Sequence, residues 1–398
     1  MELKDRKIVL GLTGGVACYK SAELARALVK AGASVQVVMT AAATQFITTV
    51  TMQALTGHTV YADQWDARIP NNMPHIDLTR DADAVVIAPC SADFLSKLAR
   101  GGCDDLLSTL CVARPATLPL MVAPAMNVEM WQNPATRRNV AQLREDGIAI
   151  LGPAAGEQAC GEVGMGRMLE PEALLAEVIA SFVPKSLAGR KVLITAGPTF
   201  EPIDPVRGIT NLSSGKMGYA IARAAREAGA DVLLISGPTS LAAPYGVQRI
   251  DVLTARDMHA AVMARVAGQD AFIAVAAVAD WRVANASEQK LKKDANGGMP
   301  ALRFEQNPDI LASVAALANK PYCVGFAAES ENLLEYGRIK RERKGIPLLV
   351  GNIGPQTFGS DRNELVLFDE HGHVALPAAD KHHLARQLIT EIARRLPA

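Results

Sequence analysis

A glycine pair near the start of the sequence is typical of a site that binds phosphate. Thr13-Gly14-Gly15 stands between an apolar run and a stretch with helical periodicity. Glycines let the backbone approach an anion, and the N-terminus of the helix that follows presents free N–H groups. The pair is not a GxGxxG fingerprint, and a Gly-Gly at such a turn is often only structural. Thr40, at the end of the next apolar run, could add a hydroxyl to the same anion.

Other polar residues of the first half follow predicted buried strands. Ser91 comes after the apolar run 84–88, and Asn127 comes after the run 120–123. An Asn side chain offers two donors and one acceptor, which suits ligand binding, although an ordinary turn residue is the alternative. His75 precedes an acidic turn, where a lone His packs or faces solvent more often than it catalyses. Ser91 and Asn127 are therefore candidates for a site at the strand ends.

Cys160 differs from the other cysteines in its surroundings. It lies in a Gly-rich segment, residues 156–166, which predicts a mobile loop, and it is the cysteine most suited to chemistry. No CxxC pair or regular spacing is present, so the sequence predicts no disulfide framework. Four other cysteines lie in apolar stretches and are expected to be small buried groups: Cys18, Cys90, Cys111 and Cys323.

The second half carries a long polar insertion, residues 201–213, that precedes a predicted helix. Arg207 and Asn211 lie within it, at a place in the chain where a ligand would sit. The segment that follows contains Gly215-Lys216 and superficially resembles a Walker loop. Met217 occupies the position at which that loop has Ser or Thr, so no hydroxyl is available for Mg²⁺ and a P-loop is not predicted.

A second polar group in this half combines an acid with lysines. Asp280 ends an apolar run, and Lys290, Lys292 and Lys293 follow shortly after it. A strand-end Asp beside a lysine cluster suits a nucleoside triphosphate and its metal ion, since the lysines and the metal would both face phosphate. A solvated basic loop is the alternative interpretation.

Repeated strand–helix–strand units must position these candidates. One unit occurs at the start of each half, and further strands are predicted at 271–276 and 347–350. The two units comprise residues 7–12, 17–31 and 34–39 in the first half and residues 190–195, 218–228 and 231–236 in the second. In parallel sheets, ligands bind beyond the carboxyl ends of the strands, where most candidates fall. The sequence therefore predicts an α/β fold with two doubly wound, mostly parallel-sheet, Rossmann-like domains in tandem.

Length and composition agree with two domains. A chain of 398 residues is too long for one ordinary core, and a Pro-, Ser- and Gly-bearing stretch predicts a linker at 184–190 between domains 1–183 and 191–398. The 41 basic and 41 acidic residues cancel, so no overall charge attracts nucleic acid or an anionic membrane. No apolar run of about 18 residues is present, and we expect a soluble cytoplasmic protein.

The motifs of the first half resemble those of the homo-oligomeric flavin-containing cysteine decarboxylases. The glycine pair, His75, the segment 124–130 around Asn127 and the loop with Cys160 occur in the order and at the spacing of that family. The resemblance implies that FMN binds between the subunits of a trimer and that His75, Asn127 and Cys160 serve catalysis. The residues expected around FMN are Thr13, Gly14, Gly15, Thr40 and Ser91.

The chemistry of that family explains its need for a flavin. A cysteine carboxylate linked through an amide has no electron sink, so loss of CO₂ would leave an unstabilised carbanion. In this family FMN oxidises the thiol to a thioaldehyde, which provides the sink, and later returns the hydride. By the same resemblance, Asn127 would hold the substrate carboxylate, His75 would assist the first steps and Cys160 would donate a proton.

One position departs from the pattern of the decarboxylases. Many members have Asn where this chain has Asp93. A carboxylate near a flavin phosphate is unfavourable, so we expect Asp93 to point elsewhere and Ser91 to face FMN.

The second half resembles phosphopantothenate–cysteine ligase. The resemblance implies that CTP activates 4′-phosphopantothenate as an acyl-cytidylate with release of pyrophosphate, and that the amine of L-cysteine displaces CMP. It places Asn211 and Arg207 at the acyl-cytidylate step, Lys290 at the phosphates and Asp280 at Mg²⁺. The nucleotide contacts that it implies are Ala274, Val275, Ala276, Asp280, Lys290, Asn307, Pro308, Asp309, Ile310, Phe326, Lys340 and Lys344. No residue is an obvious cytosine-specific contact, so CTP rather than ATP rests on the resemblance.

Together the two halves resemble the bifunctional coenzyme A biosynthesis proteins over nearly the whole chain. The expected product is 4′-phosphopantetheine, made by ligation and then decarboxylation of 4′-phosphopantothenoylcysteine. The family implies a trimeric flavin domain and a dimeric ligase domain, which combined would give a dodecamer.

Two alternatives to this function remain at this point. The chain could be a non-catalytic flavin-binding or redox-sensing module fused to an NAD(P)-type Rossmann domain, although GxGxxG is absent after Thr195, or only one half could be active.

Overall fold

A computed structural model of the chain describes residues 1–65, 73–292, 301–329, 331–353 and 360–397. These residues form two compact units, Met1–Phe182 and Val183–Ala398. Each unit is built around a mostly parallel sheet, so the predicted α/β class with two Rossmann-like domains is confirmed. Lys293, the last lysine of the predicted cluster, lies outside the described residues.

The described residues of the first unit form seven strands and eight α-helices. In chain order they are β1 (Lys7–Leu12), α1 (Cys18–Lys30), β2 (Ser34–Met39), α2 (Thr49–Thr56), α3 (Pro74–Arg80), β3 (Ala84–Cys90), α4 (Ala92–Arg100), α5 (Leu106–Ala113), β4 (Leu120–Pro124), α6 (Val128–Gln132), α7 (Pro134–Glu145), β5 (Ala149–Ile150), β6 (Ala154–Glu157), β7 (Val163–Arg167) and α8 (Pro171–Ser181).

The central sheet of the first unit has the strand order β2-β1-β3-β4-β5, with every pair parallel. Its strands are apolar runs because both faces are covered by helices. Leu10 of β1 packs on one face in the same cluster as Leu24 of α1, whereas Val9 packs on the other face in the same cluster as Leu107 of α5. The strand order reverses between β1 and β3, which is the edge where ligands bind in such sheets.

The second unit contains the remaining elements. In chain order they are β8 (Lys191–Ala196), β9 (Phe200–Pro202), β10 (Gly208–Thr210), α9 (Lys216–Glu227), β11 (Asp231–Ser236), β12 (Gln248–Asp251), α10 (Ala255–Met263), β13 (Ala271–Ala274), β14 (Trp281–Val283), β15 (Phe304–Gln306), α11 (Ile310–Ala315), β16 (Tyr322–Glu329), α12 (Leu333–Lys344), β17 (Leu348–Ile353), β18 (Arg362–Asp369), β19 (Gly372–Asp380) and α13 (Lys381–Arg395).

The large sheet of the second unit has the strand order β12-β11-β8-β13-β16-β17-β18-β19. The first six strands are parallel, and β18 and β19 add an antiparallel hairpin at one edge. Helix α9 packs very closely on β8, since a Cβ at Gly218 would lie 2.5 Å from Cβ of Ala196. The strand order reverses between β8 and β13, which predicts a ligand site at their carboxyl ends.

Two segments form hairpins that the sequence did not predict. The Gly-rich segment 156–166, predicted as a mobile loop, belongs largely to the antiparallel hairpin β6–β7. The polar insertion 201–213 holds the short hairpin β9–β10 except for its first residue, Phe200. In both segments the pairing satisfies backbone N–H and C=O groups that an irregular loop would leave to solvent. Within the described ranges, none of the helices has the length and apolar character needed to cross a membrane.

Candidate active sites

A cavity of about 620 Å³ opens at the carboxyl ends of β1, β3 and β4 in the first unit. Its lining includes Gly14 and Gly15 after β1, Ser91 after β3, Asn127 after β4 and Cys160 from the β6–β7 hairpin. Five of the residues predicted from separate parts of the sequence thus meet at one place. This place is the reversal point of the strand order, where the fold alone predicts a ligand.

Thr13 and Thr40 do not line this cavity. The buried Thr13 hydroxyl donates to the carbonyl of Pro89 at 2.9 Å and accepts from the Ser91 N–H at 2.8 Å. The buried Thr40 hydroxyl accepts from the backbone N–H of Ala43 at 3.2 Å. Both hydroxyls are therefore engaged by the protein backbone. Thr13 acts on a ligand indirectly, since it ties the turn after β1 to the turn after β3.

The remaining lining of this cavity fits a flavin nucleotide. Helices α1 and α4 both begin at this cavity. No atom lies within 4 Å of the position that a Cβ would take at Gly15. Helix N-termini with open space beside a glycine suit a phosphate. The other walls are largely apolar and include Val16, Met126 and Met130, which suit a planar ring system.

Lys20 also lines this cavity and was not singled out from the sequence. It is 5% exposed, and its Nζ donates to Glu170 Oε1 at 2.7 Å and to the Met168 carbonyl at 3.2 Å. The hydrogen bond from Lys20 holds the pKa of Glu170 below its ordinary value. Lysine is rarely buried without a partner, so its position within α1 is the only signal that the sequence offers.

Asn127 has a fixed orientation at the N-terminus of α6. Its Oδ1 accepts from the Met130 N–H at 3.0 Å, which caps the helix, and its Nδ2 donates to Glu162 Oε2 at 3.2 Å. The turn-residue interpretation and the ligand-binding interpretation are thus compatible. Because the carbonyl oxygen is committed to the cap, the amide presents N–H donors to the cavity.

The β6–β7 hairpin is attached directly to the Asn127 segment. The Met126 N–H donates to the Gly166 carbonyl at 3.0 Å, and the Val128 N–H donates to Gln158 Oε1 at 2.9 Å. A Cβ at Gly164 would lie 2.6 Å from Cγ2 of Val128, and one at Gly166 would collide with the Met126 carbonyl oxygen. The glycines of this segment therefore permit close packing of the hairpin.

Cys160 lies at the tip of the hairpin and is exposed. Its Sγ is 3.5 Å from Glu162 Oε2 and 3.9 Å from Gln158 Oε1. Burial raises the pKa of the Cys18 thiol to about 11 and that of Cys111 to about 12, so these thiols are poor proton donors and nucleophiles near neutral pH. The sequence-based contrast between Cys160 and the cysteines of apolar stretches matches their exposure.

Two predicted positions of the first half lie away from this cavity. His75 is half-buried on α3, which packs on α5, and it is not part of the lining. One chain therefore does not bring His75 together with Asn127 and Cys160. Asp93 is exposed on α4, with its carboxylate 3.9 Å from Lys97 Nζ, and it also lies outside the lining.

A second cavity, of about 440 Å³, opens at the carboxyl ends of β8, β13, β16 and β17 in the second unit. Among the predicted residues, its lining contains Asn211, Val275, Ala276, Asp280, Phe326 and Lys340. The first turn of α9 also faces it, beginning with Gly215, whose φ of 76° is left-handed. A glycine at this position lets the backbone turn its N–H groups toward the cavity.

Several polar residues of the second cavity were not predicted. Lys216 lines it and pairs with Asp361 at 2.6 Å, and Lys381, at the start of α13, is only 7% exposed. Burial and the nearby Lys216 lower the pKa of Lys381. A buried lysine in the first turn of a helix opposes the helix dipole, so this place favours an anionic ligand. Asn352 and Asn363 complete this part of the lining.

Other predicted nucleotide contacts lie behind or beside this cavity. The backbone N–H of the buried Asn307 donates to the Asp280 carbonyl at 2.8 Å, and its Nδ2 donates to the Ala279 carbonyl at 2.9 Å, so Asn307 holds the turn that carries Asp280. Asp309 caps α11 and pairs with Lys344, whose pKa is lowered by burial. The predicted positions outside the lining are Ala274, Asn307, Pro308, Asp309, Ile310, Lys344, Lys290 and Arg207. Among them, Ile310 packs in the hydrophobic core.

Arg207 is linked to the segment that carries Lys290 through a buried acid. Asp204 Oδ2 accepts from Arg207 Nε at 3.1 Å and from the Leu291 N–H at 3.1 Å, and Arg207 Nη2 donates to the Leu291 carbonyl at 2.8 Å. These hydrogen bonds from Arg207 hold the pKa of Asp204 well below its ordinary value. Lys290 itself is exposed and precedes the anchored residue. Asp204, which the sequence did not single out, thus positions this lysine.

The metal prediction rests on Asp280 alone. Over the described ranges, no group of three or more His, Cys, Asp or Glu side chains could hold a metal ion. Asp280 is exposed at the edge of the cavity. A single carboxylate fits Mg²⁺ that is carried with nucleotide phosphates, because Mg²⁺ keeps several waters and takes few protein ligands.

Family models match both units. Residues 1–183 match the model named Flavoprotein, and residues 187–396 match that of the DNA/pantothenate metabolism flavoprotein C-terminal domain. Two strand-end cavities and these matches define a two-unit flavoprotein enzyme.

Relatives of known name identify the family more closely. The chain is 50% identical over 387 residues to the coenzyme A biosynthesis bifunctional protein CoaBC of Vibrio cholerae, covering 96% of both chains. It is 47% identical over 401 residues to the CoaBC protein of Escherichia coli K12, covering 99% of this chain and 98% of the relative. A crystal structure of a CoaBC C-terminal domain is 37% identical, with a TM-score of 0.46, and covers 53% of this chain and 97% of that one.

The chain therefore belongs to the family of bifunctional coenzyme A biosynthesis proteins. It is an enzyme of coenzyme A biosynthesis with decarboxylase and ligase activities. This membership contradicts the alternative of a non-catalytic sensor fused to an NAD(P)-binding domain.

Proposed function

We propose that the two units catalyse consecutive reactions. The second unit would join L-cysteine to 4′-phosphopantothenate with CTP and Mg²⁺, and the first would decarboxylate the resulting 4′-phosphopantothenoylcysteine to 4′-phosphopantetheine with FMN. The decarboxylase domain would comprise residues 1–183 and the ligase domain residues 191–398, joined by 184–190. The observation that carries this proposal is that each unit brings several separately predicted residues together at the reversal point of its own sheet. They include Ser91, Asn127 and Cys160 in the first unit and Asn211, Asp280 and Lys340 in the second.

In the first unit, the protein binds, orients and supplies protons. FMN, when bound, supplies the oxidation of the substrate thiol and the later return of a hydride. The backbone at Gly14, Gly15 and Ser91 would hold its phosphate, supported by Thr13 and Thr40. The Asn127 amide, whose oxygen is committed to the helix cap, would donate to the substrate carboxylate. Cys160 would donate its proton to the product.

In the second unit, the protein places cations around a triphosphate. Lys216, Lys340 and Lys381 line the cavity, and Lys290 would reach it from the segment anchored by Asp204. Positive charge facing the phosphates would stabilise the charge that develops on departing pyrophosphate. Asp280 would hold Mg²⁺, which supplies further charge neutralisation there.

The reacting carboxylate of 4′-phosphopantothenate requires groups at the mouth of this cavity. Asn211 lies at that edge, with its Nδ2 donating to the Ala277 carbonyl at 2.9 Å. Asn211 would hold the acyl-cytidylate, and Arg207 would act at the same step. The remaining predicted contacts would form the walls and the support of the nucleotide site.

The assembly that we propose is a homo-oligomer. His75 lies outside the cavity of its own chain, which supports a flavin domain trimer in which a second copy supplies this residue. A dimeric ligase domain combined with this trimer would give a dodecamer.

We propose no nucleic acid or membrane partner. All six cysteines are free thiols, which is typical of the reducing cytoplasm that we propose as its location.

The proposal is tested by incubating the pure protein with 4′-phosphopantothenate, L-cysteine, CTP and Mg²⁺ while CMP and CO₂ are followed. We expect both products in equal amounts, with CO₂ appearing after CMP. Replacing CTP by ATP should lower the rate of nucleotide monophosphate release. CMP without CO₂ would leave the ligase activity alone, and the absence of both would contradict the proposal.

A further inference from the structure

Glu162 lies between the two side chains that the proposed decarboxylation assigns to the substrate. Its Oε2 is 3.2 Å from Asn127 Nδ2 and 3.5 Å from Cys160 Sγ. One carboxylate oxygen thus accepts from both the amide and the thiol. The sequence pattern gives this acid no role, since it is one exposed residue in a Gly-rich segment.

The position of Glu162 follows from the closed tip of the hairpin. The Gln158 N–H donates to the Glu162 carbonyl at 2.8 Å, and the Gly161 N–H donates to the Gln158 carbonyl at 2.9 Å. The Gln158 side chain in turn joins the tip to the backbone of Val128. The same backbone turn therefore sets Cys160, Glu162 and the start of α6 relative to one another.

The proposed chemistry leaves a requirement that this arrangement meets. Each turnover takes a proton from Cys160, so the sulfur must regain one before the next substrate reacts. In the described part of the chain, Glu162 is the titratable side chain in hydrogen-bonding contact with the thiol, and the other contact, Gln158, is a neutral amide that cannot exchange a proton in this way. Glu162 is also exposed, so it exchanges protons with solvent.

We propose that Glu162 returns the proton to Cys160 after each turnover. The inference rests on the proposed decarboxylation. The Glu162 carboxylate takes a proton from solvent and passes it to the Cys160 thiolate, which restores both groups and transfers no electrons. Without substrate, the Glu162 carboxylate accepts a hydrogen bond from the Asn127 amide. The arriving substrate carboxylate repels Glu162 from this donor and leaves it beside Cys160.

The test compares three variants of the full-length flavin-loaded protein: Glu162→Gln, Glu162→Asp and, as a matched control, Glu129→Gln. Glu129 is an exposed acid on the neighbouring α6 and lies outside the cavity. Gln keeps an oxygen that can accept from Asn127 and Cys160 but carries no exchangeable acid proton. Steady-state turnover, CO₂ release in a single turnover and the oxidation state of the product are measured with supplied 4′-phosphopantothenoylcysteine.

For Glu162→Gln we expect single-turnover CO₂ release within about twofold of the parent, and steady-state turnover lowered about 10²-fold, as is typical for the loss of a proton-transfer group. The oxidised enethiol product should accumulate to no more than one equivalent per flavin, because the flavin that took up its electrons stays reduced. The loss of turnover should grow as the pH rises, because the sulfur of the variant depends on direct protonation by solvent and protons become scarcer. Glu162→Asp should recover part of the turnover, and Glu129→Gln should match the parent.

Two results would overturn the assignment of Glu162. One is normal steady-state turnover of Glu162→Gln at every pH. The other is a fall in single-turnover CO₂ release equal to the fall in turnover, which would give Glu162 an earlier or purely structural role. If the parent protein itself released no CO₂, the proposed decarboxylation would fail, and this outcome is distinguishable because it does not involve the variants.

Discussion

The two units carry a key side chain on a segment outside the central sheet, but they hold that segment differently. In the first unit, the β6–β7 hairpin is attached through backbone bonds and through glycines that leave no room for side chains. In the second, the segment with Lys290 is tied by the buried acid Asp204. The position of the hairpin in the first unit thus depends on close packing. The position of the Lys290 segment in the second unit depends on the charged Asp204, which does not line the cavity.

The two cavities also differ in the charged side chains that line them. The first is largely apolar, and the charged side chains in its lining, Lys20, Arg167 and Glu157, are of both signs. The second presents three lysines and one acid. A site that handles a triphosphate needs an excess of positive charge facing the phosphates, whereas a site whose redox step is carried by a cofactor does not. Similar sheets can therefore serve different electrostatic tasks, because the residues beyond the strand ends decide the chemistry.

The sharpest test on the side of the first unit is Cys160→Ser. We expect steady-state decarboxylation to fall about 10²- to 10⁴-fold, the range for loss of a general acid, because the serine hydroxyl is a much weaker acid. CO₂ should still be released once, and the oxidised enethiol product should accumulate. Cys103→Ser, at the other exposed cysteine, is the control and should behave like the parent. Normal turnover by Cys160→Ser would remove the proton-donor assignment.

The corresponding test in the second unit is Lys290→Gln. We expect CMP formation to fall about 10²- to 10³-fold, as for the loss of one donor to a developing charge. Decarboxylation of supplied 4′-phosphopantothenoylcysteine should be unaffected. Lys292→Gln, two positions further along the same exposed segment, is the matched control. Equal losses for both lysines would indicate a general charge effect and would contradict a specific role for Lys290.

Gly166→Ala tests whether the first site depends on shape. A Cβ there would collide with the Met126 carbonyl oxygen and lie 2.8 Å from Gln158 Nε2, which should push the hairpin away from Asn127. We expect decarboxylation to fall about 10²-fold, since small misplacements have effects of this size. Gly372→Ala has a positive φ of 136°, close to the 143° of Gly166, but no atom within 4 Å of the new Cβ, so it controls for backbone strain. CO₂ release by the two variants is compared.

The smallest effect is expected for the pH dependence of Asp204→Asn. Because the pKa of Asp204 is held below its ordinary value, its charged form stabilises the fold above the unfolded-state pKa, about 4, and this contribution is lost as the pH falls through the lower folded-state value. The parent should therefore be more stable than the variant at pH 7, and the difference should shrink below about pH 4. Urea unfolding at several pH values measures it, with the exposed Asp251→Asn as control. A difference that does not change with pH would contradict the role of charge.

Much of the fold could be predicted from the sequence because buried parallel strands leave a clear pattern. The runs that became β1, β3 and β8 are continuous apolar segments followed by helical periodicity, and this pattern predicts two doubly wound sheets. The β6–β7 hairpin was predicted as a mobile loop. Its strands are short and rich in glycine, so they show no alternation of apolar and polar side chains.

The site could be predicted only where its residues follow strand ends. Ser91, Asn127 and Asp280 were found in this way, since the carboxyl ends of parallel strands meet at one edge. Contacts between distant parts of the chain leave no local pattern. Lys20 and Glu170 are 150 positions apart, and Asn127 and Glu162 are 35 apart. The roles of such pairs depend on a three-dimensional arrangement that no spacing rule reports.

Mixing variants shows whether the two units catalyse two separate reactions. Cys160→Ser retains the ligase site, and Lys290→Gln retains the decarboxylase site. Each variant alone, supplied with 4′-phosphopantothenate, L-cysteine, CTP and Mg²⁺, should form little 4′-phosphopantetheine. The mixture should form it at a rate well above the sum of the two, because 4′-phosphopantothenoylcysteine released by one protein is the substrate of the other. A mixture no more active than its separate components would show that the two reactions are not divided between the two units.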